Sequence, residues 1–329
     1  MTPTFDNEIE KFALGGGHGG TIHVGLVNNM PDTAMRATEL QFARLLKEAA
    51  GSLDVQLHLF SLAAIERGEV ARSRMEGFYA DAETLPMAGI DALIITGAEP
   101  RATDLRDESY WPSLTHLIDW AEIGTVSTLF SCLAAHAAVL HLSDIERVPL
   151  PRKMSGIFTA ARVGEHPLQT GMQSRIHVPH SRRNSLAESD IVRNGYGILS
   201  RTDEAVDSFC RAMPGRSLFL FLQGHPEYGA ETLAREYLRD MGRFLHGEIA
   251  ERPELPENYF DRSTENAIAG LDAQAVGDLA LYTSVVSGAL PLQSWRGHTL
   301  KLFGNWLALI AAEKLRRRAL PAQRRKLRA

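Results

Sequence analysis

One thiol, one imidazole and one carboxylate stand where they could act together: Cys132, His225 and Glu227. Cys132 follows the apolar, β-rich run Val126-Ser-Thr-Leu-Phe130 and precedes Leu133 to Leu140, where Ala at four positions favours a helix. A thiol on such a strand-to-helix corner is lifted off the sheet's carboxyl edge, and the free N–H groups of the helix start favour its anion. A lone cysteine in an apolar stretch is more often a small core residue, so the chemical reading needs a base and an orienting acid. His225-Pro226-Glu227 offers both, after the apolar run Leu218 to Gln223. Alone, that tripeptide would more often be a surface turn. Here Pro226 is expected to hold its neighbours extended, both side chains leaving the strand end together. Glu227 would then fix the tautomer of His225, which draws the proton from Cys132.

These groups must be positioned by an alternation of strands and helices. Strands are expected at Thr21–Val27, Val55–Phe60, Ile90–Thr96, Val126–Phe130 and Leu218–Gln223, with helices over about 33–50, 110–120, 133–140 and 230–244. Such βαβ units imply an α/β fold: a three-layer, doubly wound, mostly parallel sheet with ligands at the carboxyl ends of its strands. Cys132 and Gly97 fall at such ends. The N–H of Leu133, with that of Gly97 or Ala98, would form an oxyanion hole, one donor of which is typically worth about 100-fold or more in rate. Residues 63–87 read as one or two short helices and the Pro149–Pro151 segment as a loop. The region after Arg182, through Asn194-Gly-Tyr-Gly197 to Cys210, reads as β-hairpins with a turn at Asn194-Gly195. The glycine-rich residues 1–20 read as a flexible leader and 21–249 as the catalytic domain. Residues 250–315 would be an extension packed on it, with a helix from Leu302 to Leu315, and 316–329 a basic tail.

Composition bounds the class. The chain has 329 residues, 44% of them hydrophobic, enough for one large core. Cys132 and Cys210, its two cysteines, can build neither a disulfide framework nor a C-x-x-C zinc site, so no metal is expected. An N-terminus without an apolar h-region, and no run near ~18 apolar residues, point to a cytoplasmic protein without membrane spans. The net charge of −5 hides eight cations from Lys314 to Arg328, which leave the rest near −13. A basic tail can bind nucleic acid, but a solvated helix end with cations at its C-terminus is the simpler reading.

The Cys elbow with a downstream strand and Gly224-His-Pro-Glu resembles class I glutamine amidotransferases, a flavodoxin-like fold. The longer run of matches resembles the homoserine O-acyltransferases (homoserine O-succinyltransferase and O-acetyltransferase) built on that fold. It is carried by Met30-Pro31, Thr38-Glu39-Leu-Gln41-Phe42, Thr96-Gly97-Ala98, Tyr110-Trp111, Ser127 to Cys132, Lys153-Met-Ser-Gly156 and Pro179-His-Ser181-Arg182. Further on come Gly224 to Tyr228, Glu236-Tyr-Leu-Arg239-Asp240, Trp295-Arg-Gly-His298 and Phe303-Gly-Asn-Trp306-Leu307. The resemblance implies a ping-pong reaction of methionine biosynthesis with acyl-CoA as co-substrate and no permanently bound cofactor. Cys132 would take the acyl group as a thioester, and His225 would deprotonate the hydroxyl of homoserine. It also implies substrate contacts at Lys153, Ser181 and Arg239, and we expect a homodimer. At Arg101 the family usually carries Gly with succinyl donors or Glu with acetyl donors; Arg could pair with a succinyl carboxylate or fill the pocket, and its charge favours succinyl-CoA over acetyl-CoA. Leu133 and His136 replace an expected Trp and Gln, which leaves serine or another hydroxy amino acid open as acceptor. A glutaminase subunit and a non-catalytic binder of anionic ligands are the alternatives of another class.

Overall fold

The computed structural model describes residues 20–274, 277–289, 291 and 293–319. Of the expected leader only Gly20, and of the basic tail only residues 316–319, fall among them. The chain runs β1 (Ile22–Val27), α1 (Asp32–Ala49), β2 (Val55–Ser61), α2 (Glu69–Phe78), β3 (Tyr79–Asp81), β4 (Ala92–Thr96), α3 (Trp111–Gly124), β5 (Ser127–Ser131) and α4 (Leu133–Ser143). It continues with β6 (Arg147–Arg162), β7 (Arg175–Leu186), α5 (Glu188–Arg193), β8 (Gly197–Arg201), β9 (Val206–Arg211), β10 (Leu218–Leu222) and α6 (Thr232–Leu245). Helices α7 (Arg262–Ala273), α8 (Leu279–Ser287) and α9 (Arg296–Ala319) complete it.

All ten strands form one sheet, ordered β3-β2-β1-β4-β5-β10-β9-β8-β6-β7. The six from β3 to β10 are parallel, and β9, β8, β6 and β7 extend the sheet antiparallel. The parallel strands are nearly continuous in apolar residues because both faces are covered. Alternation sends Leu26, Ile94, Leu129 and Leu220 toward α1 and α9, and Ile95, Phe130, Phe219 and Phe221 toward α3 and α4.

Three readings need correction, those of Pro149 and Pro151, of Asn194-Gly195 and of the start of the last helix. Pro149 and Pro151 lie inside the long strand β6, at a register shift between Pro149 and Met154; proline is admitted there because a bulge frees its missing donor. Asn194-Gly195 ends helix α5 rather than joining two strands: Asn194 caps it and Gly195 takes φ +79°. The 250–295 stretch contains α7 and α8, whose Asp261 and Asp278 side chains cap the first turns. The last helix begins at Arg296, six residues before the expected start. Residues 69–78 do form a short helix, and β3 follows it as a strand that its three residues could not announce.

Candidate active site

Cys132 is set on the corner between β5 and α4 with φ +52° and ψ −114°, a conformation costly for any residue with a Cβ, of order 1–3 kcal/mol. The corner is held because its N–H donates to Leu222 O of β10 at 2.7 Å, while Ala135 N–H closes the first turn on Cys132 O at 2.9 Å. Cys132 is half-buried at the carboxyl edge, whereas Cys210 is buried and burial pushes its thiol up to about 11. Gly97, at the end of the neighbouring β4, packs so close to the start of α4 that a Cβ there would lie 2.6 Å from Leu133 Cβ and 3.2 Å from Leu133 N. The Gly97 and Leu133 backbones are thus neighbours, and Gly is required for it.

From β10 the chain passes into a turn in which Tyr228 N–H donates to His225 O at 3.1 Å. Pro226 therefore occupies the second turn position instead of an extended one, which corrects the expectation above. The turn still brings the pair together: His225 Nδ1 lies 2.8 Å from Glu227 Oε1, both groups buried. Cys132 lies near enough to His225 for its charge to act on the imidazole. Burial opposes a charge on His225, but Cys132 and Glu227 outweigh it and hold the imidazole well above its ordinary range. The Tyr228 ring stacks on His225 at 4.3 Å and 17°. Its hydroxyl donates to Glu236 Oε1 at 2.6 Å, and burial, then Glu236, keep it protonated.

The C-terminal helices clamp this turn. Trp295, fully buried, donates its indole N–H to Tyr228 O at 3.0 Å, and Thr299 Oγ1 donates to Pro226 O at 3.3 Å. Trp306 donates to Ser127 Oγ at 2.9 Å under the elbow strand. The tryptophans that carry the resemblance thus hold the edge from behind.

Lys153 and Arg239 meet through Asp240: Lys153 Nζ is 2.9 Å from Oδ2, and Arg239 is 2.8 Å from Oδ1. Burial works against ionisation of Asp240, and the two cations overcome it, holding its carboxyl below the usual range. Ser181 pairs with Ser155 across β6–β7, so it shares a face with Lys153. Arg101 does not join them: its side chain is 76% exposed and paired with Glu66 at 2.8 Å.

A second buried array lies behind the catalytic turn. Arg182 Nε donates to His180 Nδ1 at 3.3 Å, which leaves the His180 proton on Nε2, 3.3 Å from Asp207 Oδ1. Gly224 packs on this pair, since a Cβ there would meet Asp207 Oδ1 at 2.9 Å and His180 Cε1 at 3.0 Å. His136 donates to Gln223 Oε1 at 2.9 Å, and burial, with Arg182 nearby, pushes it down to about 3, so it is neutral. Pro179-His-Ser-Arg182 advertised this array in the sequence, but nothing there told Arg182, which belongs to it, from Ser181, which does not. Alternation on β7 does: His180 and Arg182 point opposite to Ser181.

Fold and site together define an α/β protein with a strained cysteine elbow, a histidine and a glutamate on one sheet edge. The comparisons give that class its family. A family model described as homoserine O-succinyltransferase matches residues 18–316, and the chain belongs to that family. It is 47% identical over 298 residues to a homoserine O-succinyltransferase of Rhodopseudomonas palustris, covering 89% of each chain. It is also 47% identical to one of Methylorubrum extorquens, covering 88% of this chain and 87% of that one. Among solved structures it is similar to a glutamine amidotransferase of Methylobacillus flagellatus, with TM-score 0.48 and 13% identity over 88% of this chain and 94% of that one. Among the described residues no helix is long and apolar enough to cross a membrane.

Proposed function

We propose that the chain transfers the succinyl group of succinyl-CoA to the hydroxyl of homoserine by a ping-pong route through a thioester on Cys132. The reading is carried by one observation: Cys132 sits on a strained elbow beside His225, which is paired with Glu227. Cys132 as thiolate attacks the thioester carbonyl, and the N–H groups of Leu133 and of Gly97 or Ala98 receive the oxyanion. The intermediate collapses with cleavage of the bond to CoA sulfur, and the His225 imidazolium gives that sulfur its proton. His225 is now neutral. Formation of the thioester has also removed the thiolate charge, one of the two that raise its basicity. The imidazole is therefore deprotonated when the acceptor binds, and it takes the proton of the acceptor hydroxyl as that oxygen attacks the acyl-enzyme. Collapse releases the O-acyl ester as the C–S bond breaks, and Cys132 leaves as the thiolate beside the His225 imidazolium with which the cycle began.

Lys153, Ser181 and Arg239 take the carboxylates, Arg239 through its planar fork and Lys153 as a point charge. Asp240 holds both cations in place. Arg101, four residues beyond Gly97, meets the distal carboxylate of the donor by leaving Glu66; Arg101→Glu should lower the ratio of succinyl to acetyl transfer, and an unchanged ratio removes it from the donor site. We further propose a cytoplasmic homodimer whose residues 21–249 carry catalysis and whose extension 250–315 braces the catalytic turn. The function is tested by steady-state formation of the O-succinyl ester with homoserine and, separately, serine. A kcat/KM for serine equal to or above that for homoserine would reassign the acceptor.

A further inference from the structure

An α-amino acid reaches an enzyme as a zwitterion, so its ammonium loses water on binding and must find an anionic acceptor to replace it. Lys153, Ser181 and Arg239 suit carboxylates and leave that need unmet. The carboxylates around them are unequal. Both oxygens of Asp240 are taken by Lys153 and Arg239. Glu236 has Oε1 on the Tyr228 hydroxyl at 2.6 Å, while its Oε2 is shut off from solvent and, among the described residues, accepts no hydrogen bond. A carboxylate oxygen that has lost water without gaining a donor is uncommon and calls for a partner.

We propose that Glu236 Oε2 is the acceptor for the α-ammonium of the amino-acid substrate. This inference rests on the function proposed above. Glu236 and Arg239 are three residues apart on α6, so they lie on one face within the reach of a single α-amino group and its own carboxylate. Glu236 is tied by Tyr228 to the ring stacked on His225, so the acceptor's side chain runs along Tyr228 from its charged head to the base. The ammonium fills a carboxylate valence that the fold leaves open on α6, apart from Glu227 Oε2 beside His225.

The test compares homoserine with 4-hydroxybutyrate, which has the same hydroxyl and carboxylate but no ammonium. Loss of a hydrogen bond between charged groups is expected to cost roughly 10- to 100-fold. In Glu236→Gln the KM for homoserine should rise by about that factor, that for 4-hydroxybutyrate should hardly change, and the preference for homoserine should collapse. Tyr228→Phe, which releases Glu236 from its anchor, should weaken the preference by a smaller factor. If Glu236→Gln does not fold, by its thermal melt, Tyr228→Phe carries the test. An undiminished preference in whichever variant folds, with the succinyl adduct on Cys132 still forming, overturns the inference. Absence of that adduct in the wild-type protein overturns the function beneath it instead.

Discussion

Replacing Glu227 by Gln changes charge with almost no change of shape, and it tests the imidazole's partner directly. Glu227 is 5% exposed and its Oε1 is 2.8 Å from His225 Nδ1. The amide oxygen of Gln can still accept the Nδ1 proton, so the tautomer survives, but the charge that stabilises imidazolium is gone. A hydrogen bond to a charged group is worth about 1.5–3 kcal/mol net, which predicts a fall in kcat of roughly 10- to 150-fold. The direction of the pH effect also follows. Glu227 is among the causes that raise His225, so its loss lowers the imidazole pKa. Attack on the acyl-enzyme needs neutral His225, so the acid limb of kcat should move to lower pH. The assay follows loss of thioester absorbance from succinyl-CoA, at saturating homoserine, across the pH range. An acid limb that stays in place together with an unchanged kcat would refute the coupling of Glu227 to His225.

Three further outcomes follow. Cys132→Ala removes a charge that raises His225, so the imidazole resonances should titrate at lower pH than in the wild-type protein by NMR; an equal or higher midpoint contradicts the coupling of Cys132 to His225. Trp295→Phe leaves Tyr228 O without its buried donor and should cost about 1–3 kcal/mol of stability by chemical denaturation, with a loss of kcat; full activity would show that the C-terminal helices do not brace the catalytic turn. His136 stays neutral in the fold down to about 3 but charges near pH 6.5 when unfolded, so stability falls as pH drops through that window, by about 1.4 kcal/mol per pH unit for this group. His136→Gln should flatten that slope, and an unaltered slope would assign it to other groups.

Much of the site was legible because its signals are local. The turn from Phe130 through Cys132 to an alanine-rich helix, and His-Pro-Glu after an apolar strand, each occupy a dozen residues or fewer. The parallel half of the sheet could be read for the same reason, since continuous burial leaves continuous apolar runs. What could not be read depends on partners far along the chain. Pro149 and Pro151 look like loop residues until β7 pairs across them at a bulge. Asn194-Gly195 has one chemistry for a hairpin and for a helix end, and only α5 before it decides. The convergence of Lys153 and Arg239 on Asp240 spans 87 residues, and the grip of Trp295 on Tyr228 spans 67. Arg101 shows the same limit: its nearness to Gly97 in sequence says nothing of Glu66, on which its exposed side chain rests.

A covalent acyl-enzyme at the elbow is the intermediate of the proposed reaction, and intact-mass spectrometry of the protein mixed with succinyl-CoA, without acceptor, reads it directly. The wild-type chain should gain the mass of one succinyl group, located on the peptide containing Cys132 and discharged when homoserine is added, while Cys132→Ala gains nothing. A wild-type mass that stays unchanged while O-succinylhomoserine still forms, or an adduct that persists in Cys132→Ala, would contradict it.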